Sequence, residues 1–188
     1  MTAETDALAG GAVALAEALR AACNDPADAI RLLSGLARFF PSIPPGSAPI
    51  GEAMAATQTA MAAVCRRAAL TSLARAIAAY QPSSYNDAQA VLVAACVLFD
   101  AEIEVAGDAG DGQSYLALRA LRGAVVNDMT TRGSALPQIV TVARPASLPA
   151  LALAYQLYGD TTRTDDLIAR ANPIHPAFMP TSFEALAF

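Results

Sequence analysis

Four kinds of side chain in this sequence could do chemistry: one histidine, three cysteines, a few closely spaced aspartates and one adjacent pair of arginines. His175 sits in "IHPAFMP". Acid–base or nucleophilic catalysis needs a histidine with a Ser, Cys or carboxylate partner in a recognisable pattern, and none adjoins it. Cys23, Cys65 and Cys96 are odd in number and far apart, each in an Ala-rich helical context. They read as buried free thiols, because a metal site needs clustered donors. Asp108-x-x-Asp111 hints at calcium, but a calcium loop needs more oxygen donors at set positions and a closing Glu. Asp165-Asp166 reads as acidity at a helix start, favourable to the dipole, and not as an acid/base pair. Arg66 and Arg67 diverge by about 100° on a helix, and both are expected on the side away from the core. No catalytic residue, metal ligand or cofactor-binding residue is assigned, and the chain is expected not to be an enzyme.

The elements that would hold these residues are overwhelmingly helical. Hydrophobic residues make up 55% of the 188-residue chain and charged residues only 15%, far from a disordered composition. Much of the apolar content is Ala, the best helix former, so a tightly packed helical bundle is expected. Ala contacts bury little area each, so stability calls for many of them or for a partner. Low surface charge points the same way, towards a homo-oligomer or assembly subunit. The formal net charge is -5 and every basic residue is Arg. That balance lacks the electrostatic footprint of a direct nucleic-acid binder. The apolar run from Ala88 to Phe99 is too short to span a bilayer. Residues 1–9 are acidic and do not read as a signal peptide, so synthesis in the cytoplasm is expected.

Along the chain, residues 4–23 place Leu8, Leu15, Leu19 and Ala22 on one stripe, expected to face the core. Asn24-Asp25-Pro26 ends that helix and opens a second, expected to run to Phe40. "PSIPPGSAPIG" (41–51) reads as a rigid extended connector. Residues 52–80 form the longest helix, with Met54, Met61, Cys65, Ala68, Leu73, Ile77 and Tyr80 on its core face. "SYND" (84–87) resembles a capping box. The helix after it is apolar all round and is expected at the centre of the core. Residues 106–114 read as a flexible turn. The next helix, Tyr115 to Thr131, presents Leu118, Leu121, Val125 and Met129 inward, with Arg119 and Arg122 flanking them.

Beyond Gly133 the character changes. Ile139, Val140 and Val142 are β-branched in a Pro-bounded segment, the best strand candidate. A helix follows at Leu148–Tyr158, with Leu151, Ala154, Tyr155 and Tyr158 on one stripe and Gly159 as its cap. Asp160 or Thr161 caps the next helix, Asn172-Pro173 ends it, and a Pro-braced loop with His175 and Phe178 leads to "TSFEALAF". The fold class expected is mainly α: an Ala-rich helical bundle over 1–133, then a small α+β strand–helix–helix–strand module over 134–188.

The stretch "VTVARPASLPALALAYQLYGDTTRTDDLIARANPIHPAFMP" resembles the C-terminal part of the DNA circulation (circularisation) proteins of Mu-like phages and prophages. The matching positions are Ser147 to Asp160, Asp165 to Arg170, Asn172, His175, Pro176, Phe178 and Pro180. Upstream, "QTAMAAVCRRAALTSLARAIAAYQPSSYNDA" and "LRALRGAVVNDMTTRGSALP" look like the helical region of the same proteins, so the resemblance covers residues 55–188. It implies a structural component of a contractile tail, at the baseplate or hub end of the virion, with other tail proteins as partners. Family members are usually longer, with a separate N-terminal domain.

The same stretch also looks like a LysM module, in which "YGD" joins two helices and Asn-Pro follows the second. The usual Gly before the last strand is missing here, and "PASL" replaces the usual "GDTL" start. The alternative function this implies is peptidoglycan binding by a module on a helical stalk. In either reading the residues expected to serve contacts or module turns are Tyr155, Tyr158, Gly159, Asp160, Asn172, Pro173, His175 and Phe178.

Overall fold

A computed structural model describes residues 3–41 and 48–187. Among them the chain forms seven α-helices and two strands: α1 (Ala3–Ala22), α2 (Pro26–Ala37), α3 (Pro49–Ala79), α4 (Tyr85–Asp108), α5 (Gly112–Gly133), β1 (Ile139–Ala143), α6 (Ala150–Tyr158), α7 (Thr164–Ala171) and β2 (Ser182–Leu186). The mainly α class with a small α+β end is as the sequence indicates. Two compact units divide the chain: Met1–Gln81 with Gln89–Arg132, and Pro82–Ala88 with Gly133–Phe188.

In the first unit, helix ends follow local rules. Asp25 is extended and its carboxylate accepts from the Ala27 N–H at 2.8 Å, with Pro26 in the first turn of α2. That helix stops at Ala37, three residues short of Phe40. Arg38 closes it by donating to the carbonyls of Gly35 and Leu36. Pro41 explains the early stop, since a residue before proline is pushed out of the helical region. Residues 42–47 of the expected connector lie outside the described residues. Its end, Pro49 to Gly51, is not extended but already the first turn of α3, where a missing N–H costs nothing.

The faces of the helices depart more from the periodicity. In α1 it is Ala16 that is buried, while Leu8, Leu15 and Leu19 are exposed. Glu17 sets this rotation: its carboxylate accepts from Ser72 and Arg75 of α3 and from Arg20. Small Ala faces then let the backbones approach, and the leucines point away. In α3, Ala68, Leu73 and Ile77 are buried as expected, but Met54 and Met61 are exposed. Arg66 is buried, opposite to the side expected for it, because a carboxylate waits for it inside.

Helix α4 is not buried all round. Leu92, Ala95, Phe99, Glu102 and Ala106 face inward at alternating spacings of three and four, while Val93 and Val97 are exposed. The stretch 106–114 is not a loose turn either. α4 continues to Asp108, Gly110 adopts a left-handed φ of 70°, and Asp111 caps α5 by accepting from the Ser114 N–H at 3.1 Å. In α5, Leu118, Val125 and Met129 are buried and Leu121 partly so. Arg122 pairs with Asp100 at 2.7 Å and Arg119 lies over the Tyr115 ring. Arg132 donates to the carbonyls of Tyr80 and Ile77, satisfying groups that the end of α3 leaves open.

In the second unit β1 and β2 pair antiparallel, from Ile139 opposite Leu186 to Ala143 opposite Ser182. Phe183 and Ala185 face inward onto Leu153, Ala154, Leu167 and Met179. The short segment Pro82–Ala88 belongs to this unit. Tyr85 N–H donates to the Pro137 carbonyl, and the Asn86 side chain accepts from Ile139 N–H at 2.8 Å. Ser84 caps α4 by accepting from Asp87 N–H, and the Asp87 carboxylate accepts from the Ser83 hydroxyl at 2.6 Å and from the Ser84 backbone, as a capping box requires.

Candidate interaction surfaces

The C-terminal residues singled out above separate into two groups in the second unit. Tyr158, Gly159, Asp160 and Asn172 are built into the module. The Tyr158 hydroxyl accepts from the Leu186 N–H at 3.0 Å and its ring lies under Arg163. Gly159 has φ 67° and Asn172 has φ 42°, the left-handed conformations that end α6 and α7. Asp160 accepts from the backbone N–H and the hydroxyl of Thr162, and these bonds hold its carboxyl below the usual aspartate range. Pro173 follows Asn172 and is half-buried.

Tyr155, His175 and Phe178 are outside the core. Tyr155 is 65% exposed and Phe178 73% exposed, with Leu151 and Ile174 also open to water. The stripe expected for α6 therefore splits. Its buried face runs through Ala150, Leu153, Ala154 and Leu157, and Leu151 and Tyr155 lie roughly 100° or more away from that face.

The Pro-braced loop is strapped along the start of α6. Ala150 N–H donates to the Pro176 carbonyl at 2.8 Å, Met179 N–H to the Leu148 carbonyl at 3.1 Å, and Ser147 Oγ–H to the Met179 carbonyl at 2.7 Å. His175 Nδ1 accepts from Ala177 N–H, and its ring meets Phe178 at 6.1 Å between centroids. With Nδ1 engaged this way, His175 helps shape a turn. Among the described residues no group of three or more His, Cys, Asp or Glu is placed to hold a metal ion. Each of the three cysteines is free and only partly buried.

The first unit holds a charged cluster that periodicity placed on the surface. Glu102 accepts from Arg66 Nε at 2.6 Å and from Arg67 Nε at 2.9 Å. Arg67 reaches on to Asp111 and Ser114. Arg66 also donates to the Phe39 carbonyl, under the ring of Phe40. Two cations and two carboxylates balance, so the cluster fastens α3, α4 and α5 to the end of α2. Hydrogen bonds from Ser114 and then Arg67 hold the Asp111 carboxyl down at about 2. The sequence hint was the acidic turn that α4 takes at Asp100, Glu102 and Glu104 after its apolar run.

Elsewhere in the same unit, large apolar side chains are left in water: Leu8, Leu15 and Leu19 of α1, and Ile50, Met54 and Met61 of α3. None of the described helices is long and apolar enough to cross a membrane. No protein-family model matches the chain, and neither does any curated protein.

Proposed function

We propose that this chain is a structural subunit of a contractile phage tail, or a tail derived from one, at the baseplate or hub end. It works through contacts with other tail proteins and with copies of itself. The observation that carries this reading is the set of large apolar side chains on α1 and the first half of α3 that stay a third or more exposed. Such exposure marks protein interaction sites. The ordered run from Ser147 to Pro180 that resembles the DNA circulation proteins of Mu-like phages supplies the tail context. An acidic surface without lysine suits contacts with protein better than contacts with DNA. Purified particles from the host, probed with an antibody to this chain, test it: label is expected at the baseplate end of the tail. Chain found only in the soluble lysate refutes it.

A second reading is favoured by Tyr155 and Phe178, two exposed rings of the kind that stack on sugar faces. In that case the module binds peptidoglycan. Sedimentation with purified cell wall separates the two: retention that disappears in Tyr155→Ala and Phe178→Ala supports the glycan reading.

A further inference from the structure

Strand β1 has one hydrogen-bonding edge on β2 and one edge free. The bonds from Ala187 N–H to the Gln138 carbonyl and from Arg144 N–H to the Thr181 carbonyl, each 2.7 Å, fix which residues turn inward. Directly opposed residues of an antiparallel pair alternate between bonded and non-bonded. The register runs unbroken from Ile139 opposite Leu186 to Ala143 opposite Ser182, so Val140 and Val142 bond to β2. Ile139, Thr141 and Ala143 turn their N–H and carbonyl groups outward. The same alternation is visible on both outer sides: Ile139 N–H goes to Asn86 Oδ1 at 2.8 Å, and Leu186 N–H to the Tyr158 hydroxyl at 3.0 Å.

The free length of β1 is short and has definite ends. Asn86 occupies the Ile139 N–H at one end, and Pro145 has no N–H at the other. Between them Thr141 and Ala143 are both exposed, and among the described residues nothing bonds to their N–H or carbonyl groups.

Side chains mark the same edge. Val140 and Val142 share the inner face of the sheet with Ala185 and Phe183, their opposite numbers on β2. Phe183 and Ala185 are buried, and α7 packs against β2. Val140 is nevertheless 41% exposed, so the core-facing side of the sheet ends one strand early. Charges, prolines and bulges are the devices that keep strand edges apart. β2 carries the charge of Glu184, but β1 has none of the three between Ile139 and Ala143.

An unpaired edge takes an extended chain, because only a strand offers donors and acceptors at this spacing. The strand that fits the free length is β1 itself. Laid antiparallel about a twofold axis at Val142, Thr141 N–H of each copy meets the Ala143 carbonyl of the other, and Ala143 N–H meets the Thr141 carbonyl. Every free group is used, and the pairing stops at Ile139 and Pro145, where the free groups stop. Val142 faces Val142 across the axis, Val140 faces the aliphatic stem of Arg144, and no like charges are opposed.

We infer that β1 of one copy pairs with β1 of a second copy, joining the two modules in one continuous sheet. This rests on the self-assembly part of the function proposed above and gives it an address. The contact joins a patch to itself, so it closes at a dimer. It is small beside the roughly 800 Å² per partner of a stable interface, so the dimer should form only at high concentration.

Sedimentation and amide hydrogen exchange of the full chain test it. The mass is expected to rise with concentration to that of a dimer. Exchange at the Thr141 and Ala143 amides should slow about tenfold once nine-tenths of the chain is paired, since only the unpaired tenth exchanges. The Ile139 amide, already bonded to Asn86, should exchange at the same rate throughout. Thr141→Lys/Ala143→Lys sets like charges opposite one another and should stay monomeric, as should Thr141→Glu/Ala143→Glu. Mixed in equal amounts, the two variants should form a heterodimer. A wild-type chain that stays monomeric overturns the pairing, as does a dimer in which those two amides exchange as fast as in dilute solution, or a mixture that does not combine. Protection of the two amides that appears only in assembled tails assigns the edge to another tail protein and overturns the second copy. A monomer that is nevertheless found in tails removes this contact and leaves the tail reading standing.

Discussion

Arg66 and Glu102 meet inside the first unit, Nε to Oε2 at 2.6 Å, each only 2% exposed. Thirty-six positions apart in sequence, they join α3 to α4. Withdrawing both charges from water is costly, and only their mutual attraction and the added bonds from Arg67 and to the Phe39 carbonyl offset it.

Breaking one side of the pair should therefore hurt more than removing both. Glu102→Ala leaves the buried Arg66 without its carboxylate, while Arg67 keeps Asp111 and Ser114, and is expected to cost about 3–5 kcal/mol in urea unfolding. Arg66→Met with Glu102→Met should recover most of that. A single variant that unfolds within about 1 kcal/mol of wild type would show that the pair contributes no more than a surface ion pair does.

Acid should loosen the α1–α3 contact. The hydrogen bond from Arg20 leads, with those from Ser72 and Arg75, in holding the Glu17 carboxyl at about 2 instead of the usual 4.5. The unfolded chain takes up this proton first as pH falls. The stabilisation is thus complete above about 4.5 and is lost progressively towards 2. Asp111 shifts in the same direction. Urea midpoints measured across that window should fall with pH, and Glu17→Gln should flatten the slope. A slope unchanged by Glu17→Gln would mean that other carboxylates carry the acid response.

Two glycines should respond oppositely to alanine. Gly123 lies within α5, where an added Cβ meets open space. Gly123→Ala should stabilise by about 0.5–1 kcal/mol through helix propensity. Gly159 sits at φ 67°, so Gly159→Ala should cost about 1–2 kcal/mol. Calorimetric melting of both variants reads the two signs directly.

Tyr158 and Tyr155, three residues apart, should behave differently. Tyr158→Phe removes the acceptor for Leu186 N–H and should destabilise the module by about 1 kcal/mol. Tyr155→Ala should leave stability within about 0.5 kcal/mol, because its ring packs on little. Hydrogen exchange at Leu186 reports the first, and thermal melting compares both. A marked loss of stability in Tyr155→Ala would place that ring in the core.

Much of this architecture is legible in the chain alone. Asp25-Pro26 at the start of α2, Gly159 and Asn172 at the ends of α6 and α7, and the β-branched run of β1 announce themselves. Each is decided by backbone groups within a few residues of one another, and so by local chemistry. Which way the helices face is not local. With Ala on every side, α1 could turn its leucines in or out at little cost, and the bonds from Ser72 and Arg75 to Glu17 turned them out. Arg66 belongs inside only because Glu102, on another helix, lies opposite it. Helix boundaries follow from neighbours in sequence. The rotation of α1 and α3, and with it the apolar surface left exposed, follows from charges that meet only when the chain has folded.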